Sequence, residues 1–285
     1  MFPVIGDLRV DKIGSPEVLN VLKPIWNDKR ETATKIAQRM AAILDRAKAD
    51  GFRSGDCPVK FAKQFGLEKE RAKVKHHAAL PFDVMPSFMQ ALRADGASDG
   101  TKLALEFLIL TAARDKEARF APWGEINLAK KEWTIPSVRM KADEPHTVPL
   151  SPRCIEILEL AKGLSPCSPN DLIFPGISKS GALSENTLAN LASKIATAIG
   201  QGHCTAHGMR STFMDWASER THFHRDVREK CLAHKIKDEV EAAYRRGDML
   251  EKRRALMDQW AAFATSEPAG DNVVQMVPSA KMATG

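Results

Sequence analysis

The sequence predicts a mainly α-helical chain with one small antiparallel β-sheet, an α+β arrangement split into a basic helical front and a larger second module. Three observations carry this. Apolar residues recur at helical spacing in segment after segment from Ser15 to Ala264. The period drops to two between Glu125 and Leu150. The formal charge excess also lies entirely at the front: residues 1–79 hold 16 Lys and Arg against 10 Asp and Glu, whereas residues 80–285 hold 26 against 26.

In order along the chain, Ser15-Pro16-Glu17 is a helix start, with a capping hydroxyl, a proline suited to the first turn and an acid at the positive helix end. Val18, Leu19, Val21 and Leu22 give that helix its apolar face, and Pro24 should limit it. A second helix should run from about Glu31 to Asp50, with Ile36, Met40, Ile43, Leu44 and Ala47 on one stripe and Gly51 as the stop. Arg53 to Lys75 turns irregular and basic and reads as an exposed linker. The expected domains are therefore residues 1–75, residues 76–265, and a tail, residues 266–285, that lacks periodicity and should be disordered.

The second module should open with a helix near Asp83–Ala94. Asp99 is a candidate cap for the next, whose dense run LALEFLILTAA suits a central buried helix ending at Arg114. Trp133, Ile135, Val148 and Leu150 then alternate with polar residues around a turn at Ala142–Pro145, which makes a small antiparallel hairpin approached by Arg139 and Lys141. Ser151-Pro152 and Ser184-Glu185 start further helices. GMRSTFMDWASE, HRDVREKCLAH, VEAAYRRGD and LEKRRALMDQWAAFA continue the helical reading to Ala264.

Composition narrows the class. Apolar content of 44% and charged content of 27% are those of a globular protein. No apolar run can span a bilayer, and MFPVIGDLRV is not built as a signal peptide. The five cysteines are scattered with no C-x-x-C pair, and read as reduced thiols of a cytoplasmic protein. A basic front beside a neutral larger module fits a grip on a polyanion, although a solvated helix face would carry the same charge.

The chemistry-bearing residues lie in the second module. Tyr244 is the only tyrosine in the chain, beside Arg245 and Arg246 and ten positions after His234. Arg114 ends the buried helix, Glu117 follows it by one turn, Lys141 sits near the hairpin tip, and His207 and Arg210 are three apart in TAHGMRSTF. Singly, each has a plain structural explanation, such as a buried salt bridge for Arg114 with Glu117 or a core position for His207. Together, guanidiniums, imidazoles, an ammonium and a phenol without a carboxylate cluster describe an anion site that needs no metal or cofactor. His203, Cys204 and His207 lack the paired spacing of a zinc motif. A phosphodiester gains charge in its pentavalent transition state, which two arginines and a histidine can stabilise, while a phenol attacks and a lysine protonates the leaving oxygen.

From about His76 to Phe263 the sequence resembles the catalytic domain of the tyrosine recombinases, and is similar in particular to phage P4-type integrases. The matching stretches are HHAALP, FLILTAAR with Glu117 three after the arginine, WTIPSVRMK, HTVPLS, TAHGMRSTFMDWASE, and LAH followed by VEAAYRRGD and LEKRRALMDQWA. The family's order of R, K, H-x-x-R, H and Y falls on Arg114, Lys141, His207, Arg210, His234 and Tyr244. The resemblance implies that Tyr244 attacks the scissile phosphate to leave a 3′-phosphotyrosine. It also implies that Arg114, Arg210 and His234 hold the phosphate, Lys141 is the acid, His207 assists proton transfer and Glu117 orients Arg114.

Residues 12–75 are similar to the family's helical core-binding domain, which clamps DNA. The implied partners are double-stranded DNA at attachment or core sites, three further copies in a homotetramer on DNA, and accessory DNA-bending proteins, in a nucleoid-associated setting. TAAR replaces the commoner glycine-containing approach to the first arginine. No arm-binding domain or first core-binding helix is visible before Met1, so the expectation is an N-terminally shortened site-specific recombinase. A type IB topoisomerase and a non-catalytic DNA-binding remnant are the alternatives.

Overall fold

The computed structural model describes residues 2–62, 78–141, 143–178, 180–234 and 248–268. The chain divides into two compact units, residues 1–75 and 76–285. Among the described residues no helix is long and apolar enough to cross a membrane.

In the first unit, α1 (Phe2–Ile5) leads to α2 (Ser15–Trp26), α3 (Arg30–Ala49) and α4 (Pro58–Ala62). The start of α2 is fixed by Glu17, whose carboxylate accepts from the Gly14 N–H at 2.9 Å. Pro24 does not limit this helix: it lies within the last turn, and α2 continues to Trp26. The proline removes one N–H so close to the end that little of the ladder is lost. Trp26 is buried at that end, and its indole carries the Arg30 guanidinium 4.0 Å above it. Val18, Val21 and Leu22 of α2 pack with Ala33, Met40 and Leu44 of α3 and Val59 of α4. Ile43 departs from the expected stripe. It is 54% exposed, because the buried face of α3 runs through Ala33, Met40, Leu44 and Ala47. The segment expected to be wholly irregular contains α4; residues 63–77 lie outside the described residues.

The second unit is built on α6 (Asp99–Thr111), where every residue from Ala104 to Thr111 is buried. Around it lie α5 (Met85–Ala94), the short α7 (Asp115–Arg119), α8 (Pro152–Ala161), α9 (Thr187–Ala198), α10 (Gly208–Glu219), α11 (Arg225–Cys231) and α12 (Leu250–Ala264). Two helix starts differ from expectation. Ser98 rather than Asp99 precedes α6, its hydroxyl bonded to Thr101 Oγ1 at 2.9 Å. Ser184 and Glu185 form a turn that leads into α9 at Thr187, since the Thr187 N–H reaches back to the Ser184 carbonyl.

Three strands, β1 (Ile126–Asn127), β2 (Glu132–Ile135) and β3 (His146–Pro149), form an antiparallel sheet in that order. Trp133 pairs with Val148 and Ile135 with His146. Trp133, Ile135 and Val148 face the core, as the alternation requires. The last helix closes the unit: Trp260 donates to the Ile109 carbonyl of α6 at 2.9 Å, stacks with Phe263 and packs at a tilt against Trp216. The expected helix VEAAYRRGD, apart from Asp248, and most of the expected disordered tail fall outside the described residues.

Candidate active site

At the end of α6 the chain turns through Ala112, which takes a left-handed conformation with φ of 49°. This delivers Arg114 to the N-terminus of α7. Glu117 fixes it twice: one carboxylate oxygen accepts from the Arg114 backbone N–H at 2.8 Å, the other from its guanidinium at 2.7 Å. Glu117 is itself buried, and its carbonyl accepts from Arg139 Nη2 at 2.6 Å. Arg139 also pairs with Glu125, whose Oε2 takes the Trp133 indole N–H at 2.9 Å. The first arginine is thereby tied to the sheet.

Arg210 sits one turn inside α10. That helix can start where it does because of Gly208: a Cβ there would meet the Ala78 carbonyl oxygen at 2.1 Å. Thr212 Oγ1 donates to the Leu80 carbonyl at 2.6 Å and seats the same helix face. Arg210 is 4% exposed, and its guanidinium donates through Nη1 to the Ala112 carbonyl and through Nη2 to the Leu232 carbonyl at 2.6 Å. Both acceptors are neutral, so its charge is oriented without being cancelled. Burial pulls its pKa down to about 10, and the positive charge of Arg114 adds to that effect. It remains cationic at neutral pH. Glu117, paired with Arg114, offsets part of the repulsion between the two guanidiniums, and both keep the donor geometry that suits an oxyanion.

His234 completes this corner. Its Nε2 lies 3.5 Å from Arg210 Nη2, and its Nδ1 lies 2.5 Å from Glu229 Oε2. Arginine can only donate, so Nε2 accepts and Nδ1–H donates to Glu229. A pocket lined by Ala113, Glu117, His146, Arg210 and Leu232 opens at this point. His146, on β3, donates to the Cys231 carbonyl; burial, reinforced by the Arg253 charge, depresses its pKa to about 4 and keeps it neutral.

Of the residues expected from the sequence, Glu117 and Arg210 line this pocket, Arg114 adjoins it through its pair with Glu117, and His234 adjoins it beside Arg210. His207 stands exposed at the N-cap of α10, not in the core, and its carbonyl accepts from the Arg210 N–H at 3.1 Å. Lys141 is exposed on the β2–β3 connection and makes no hydrogen bond to the other expected site residues among those described. Tyr244 lies outside the described residues. The sequence reading passed over Arg139 as a support for Glu117, Glu229 as the partner of His234, and His146. Glu229 follows no spacing rule, because its link to His234 crosses the turn after α11.

The signature of the phage integrase family matches residues 78–251, and that of the phage integrase central domain matches residues 1–64. The chain belongs to the phage integrase family. Prophage integrase IntA of Escherichia coli K12 is 33% identical over 275 residues, which is 96% of this chain and 64% of the relative. The integrase of Enterobacteria phage P4 is 28% identical over 278 residues, 92% of this chain and 62% of that one. The chain thus spans less than two thirds of the length of these integrases. Among solved structures, a lambda integrase (75–356) dimer bound to a COC′ core site superposes with a TM-score of 0.61 at 19% identity, covering 86% of this chain and 84% of that chain. This integrase therefore shares the lambda integrase fold, mainly helical with its one small sheet.

Proposed function

We propose that this integrase is a site-specific recombinase that cuts and rejoins double-stranded DNA through a 3′-phosphotyrosine. The observation that carries the reading is the buried Arg210, held by two backbone carbonyls beside His234 and close to the Arg114–Glu117 pair. In this reading Arg114 and Arg210 bind the non-bridging oxygens of one phosphodiester, His234 joins them once its Nε2 has taken up a proton, and the positive charge matches the pentavalent transition state better than the ground state. The Tyr244 oxygen attacks phosphorus, the bond to the 5′ oxygen breaks, and Lys141 protonates that oxygen while His207 assists in moving the phenolic proton. The reverse step, with a 5′-hydroxyl from another duplex as nucleophile, releases Tyr244 and joins the new strand. One phosphoester replaces another, so no nucleotide cofactor is consumed.

Exchange between two duplexes breaks four strands, and the chain has one tyrosine, so four copies must assemble on DNA to supply four nucleophiles. Family membership favours this reading over strand relaxation by a single copy or simple DNA retention. The test is to incubate the protein with labelled duplex DNA flanking its own gene and to look for a covalent protein–DNA adduct. Tyr244→Phe should bind this DNA as the parent does and form no adduct. An adduct that persists in this variant would place the nucleophile on another side chain.

A further inference from the structure

Arg253 on α12 is a fully buried cation whose bonds the proposed chemistry does not use. Its guanidinium donates to the Thr147 carbonyl of β3 at 2.6 Å, to the Asp248 carbonyl at 2.9 Å, and to the Asp248 carboxylate at 2.5 Å. Taking a guanidinium wholly out of water is costly, and an apolar side chain of similar volume generally fills such a place with equal or better stability. The bonds of Arg253 therefore point to a positional role. Asp248 stands four positions after Tyr244 in the sequence, and Met249 follows it in a left-handed conformation with φ of 52°. His146, the neighbour of Thr147, faces Cys231 and lines one pocket with it and Leu232. Leu232, next in the chain, supplies the carbonyl that aims Arg210.

We propose that Arg253 is a positioning residue for the nucleophile: with Asp248 it pins the chain four positions after Tyr244 to β3. The inference rests on Tyr244 being the nucleophile, as proposed above. Its logic is geometric. A nucleophile must approach phosphorus in line, and a displacement of about 1 Å costs on the order of a hundredfold in rate. Tying Asp248, four positions after Tyr244 in the sequence, to β3 shortens the chain over which the nucleophile can be displaced.

The test uses the full chain with two variants. Asp248→Ala removes the carboxylate bonded to the buried Arg253 and leaves it two carbonyl acceptors, and a thermal melt of each variant verifies that the fold is kept. Arg253→Lys keeps the charge and loses the fork. Adduct formation at saturating flanking duplex DNA should fall about tenfold or more in both variants, with DNA affinity within about twofold of the parent. Because Tyr244 is the only tyrosine, 3-fluorotyrosine labelling gives one fluorine resonance that reports its surroundings without DNA. That resonance should shift or broaden in Asp248→Ala and stay in place in Glu159→Ala, which breaks an exposed pair with Lys162 on α8. Parental adduct rates with an unmoved resonance would overturn the proposal. If the parent itself forms no adduct, the proposed chemistry fails; a moved resonance then still supports the anchor, and an unmoved one overturns it.

Discussion

The two units carry their positive charge in different ways. In the first unit the cations lie on the surface and pair with carboxylates close by, as in Lys35 with Glu31 at 2.6 Å, Arg46 with Asp50 at 2.8 Å and Lys48 with Asp56 at 2.9 Å. Such pairs are screened by water and salt and contribute little to stability, but the net excess raises the attraction to any polyanion. In the second unit acids and bases balance overall, yet Arg210 and Arg253 are buried and held largely by backbone carbonyls. Diffuse charge supplies affinity for many phosphates; fixed charge acts on one. On the function proposed above, the first unit grips DNA and the second reacts with it.

The sharpest way to break that division is at the fixed charges. Arg210→Lys and Arg114→Lys should each lower the rate of adduct formation at saturating DNA by about a hundredfold or more, because an ammonium cannot reproduce an aimed two-pronged donor. Affinity for DNA should change far less. Single-turnover cleavage with a parallel binding titration separates the two quantities, and near-parental rates in both variants would reduce these arginines to structural roles.

The diffuse charges should respond in the opposite sense. Lys23 and Arg39 are exposed on α2 and α3. Replacing both with Gln should weaken DNA binding by about tenfold or less and flatten the salt dependence by up to roughly two ions, while leaving cleavage at saturation intact. A loss of rate at saturation with unchanged affinity would contradict the division.

Acid should also act on the two units unequally. All eight histidines lie beyond residue 75. His146, faced by Arg253, Glu117, Asp248 and the Cys231 carbonyl, is held neutral with its pKa lowered from 6.5 to about 4. The unfolded chain therefore binds the extra proton first, and the stability this group contributes above pH 6.5 is lost as pH falls from there towards 4. In the first unit the depressed carboxyls Asp11 and Asp56, held down by Arg9 and Lys48, withdraw their contributions only below the ordinary carboxyl value of 3.8. Melting followed between pH 7 and 4.5 should show the Tm falling by a few degrees, with a shallower slope in His146→Gln. An unchanged slope would show that this histidine is not the group that responds.

The smallest expected effect concerns the turn before Arg114. Ala112 sits in the left-handed region, which costs an L-residue about 1 kcal/mol relative to glycine. Ala112→Gly should raise stability by about 0.5–1 kcal/mol and leave cleavage unchanged, as read from denaturant midpoints. A destabilised variant would mean that the alanine methyl contributes more by packing than its backbone costs.

What the sequence made visible followed from pattern strength. The run around Leu105–Leu110 specifies a buried helix almost without context, and the alternation of Trp133 with Ile135 specifies a strand with one inward face. Short elements escaped because they owe their existence to contacts. Helix α7 has five residues and is nucleated by Glu117 reaching back to Arg114, and β1 is two residues held by pairing with β2. Pro24 misled because a proline near a helix end loses only one bond. Within the site, the types and order of the residues were readable, while the carbonyls that aim Arg210 leave no trace in side-chain identity. Arg253 did leave one. It shares a helical face with Leu256, Met257 and Trp260, and a cation in an apolar row is a sign of a built interior contact.

The bonds that finish the anion pocket join parts of the chain made far apart in time. Arg210 to Ala112 spans 98 residues, and Thr212 to Leu80 spans 132. Closing such loops costs entropy that local helix formation does not, so these contacts come late in folding. A ribosome that has released only α6 and the sheet has made Arg114 but not its fellow cation. The half-made protein carries the basic front unit and lacks an assembled phosphate socket. The paired arrangement of Arg114 and Arg210 is thus completed only when nearly the whole second unit has emerged and closed on itself.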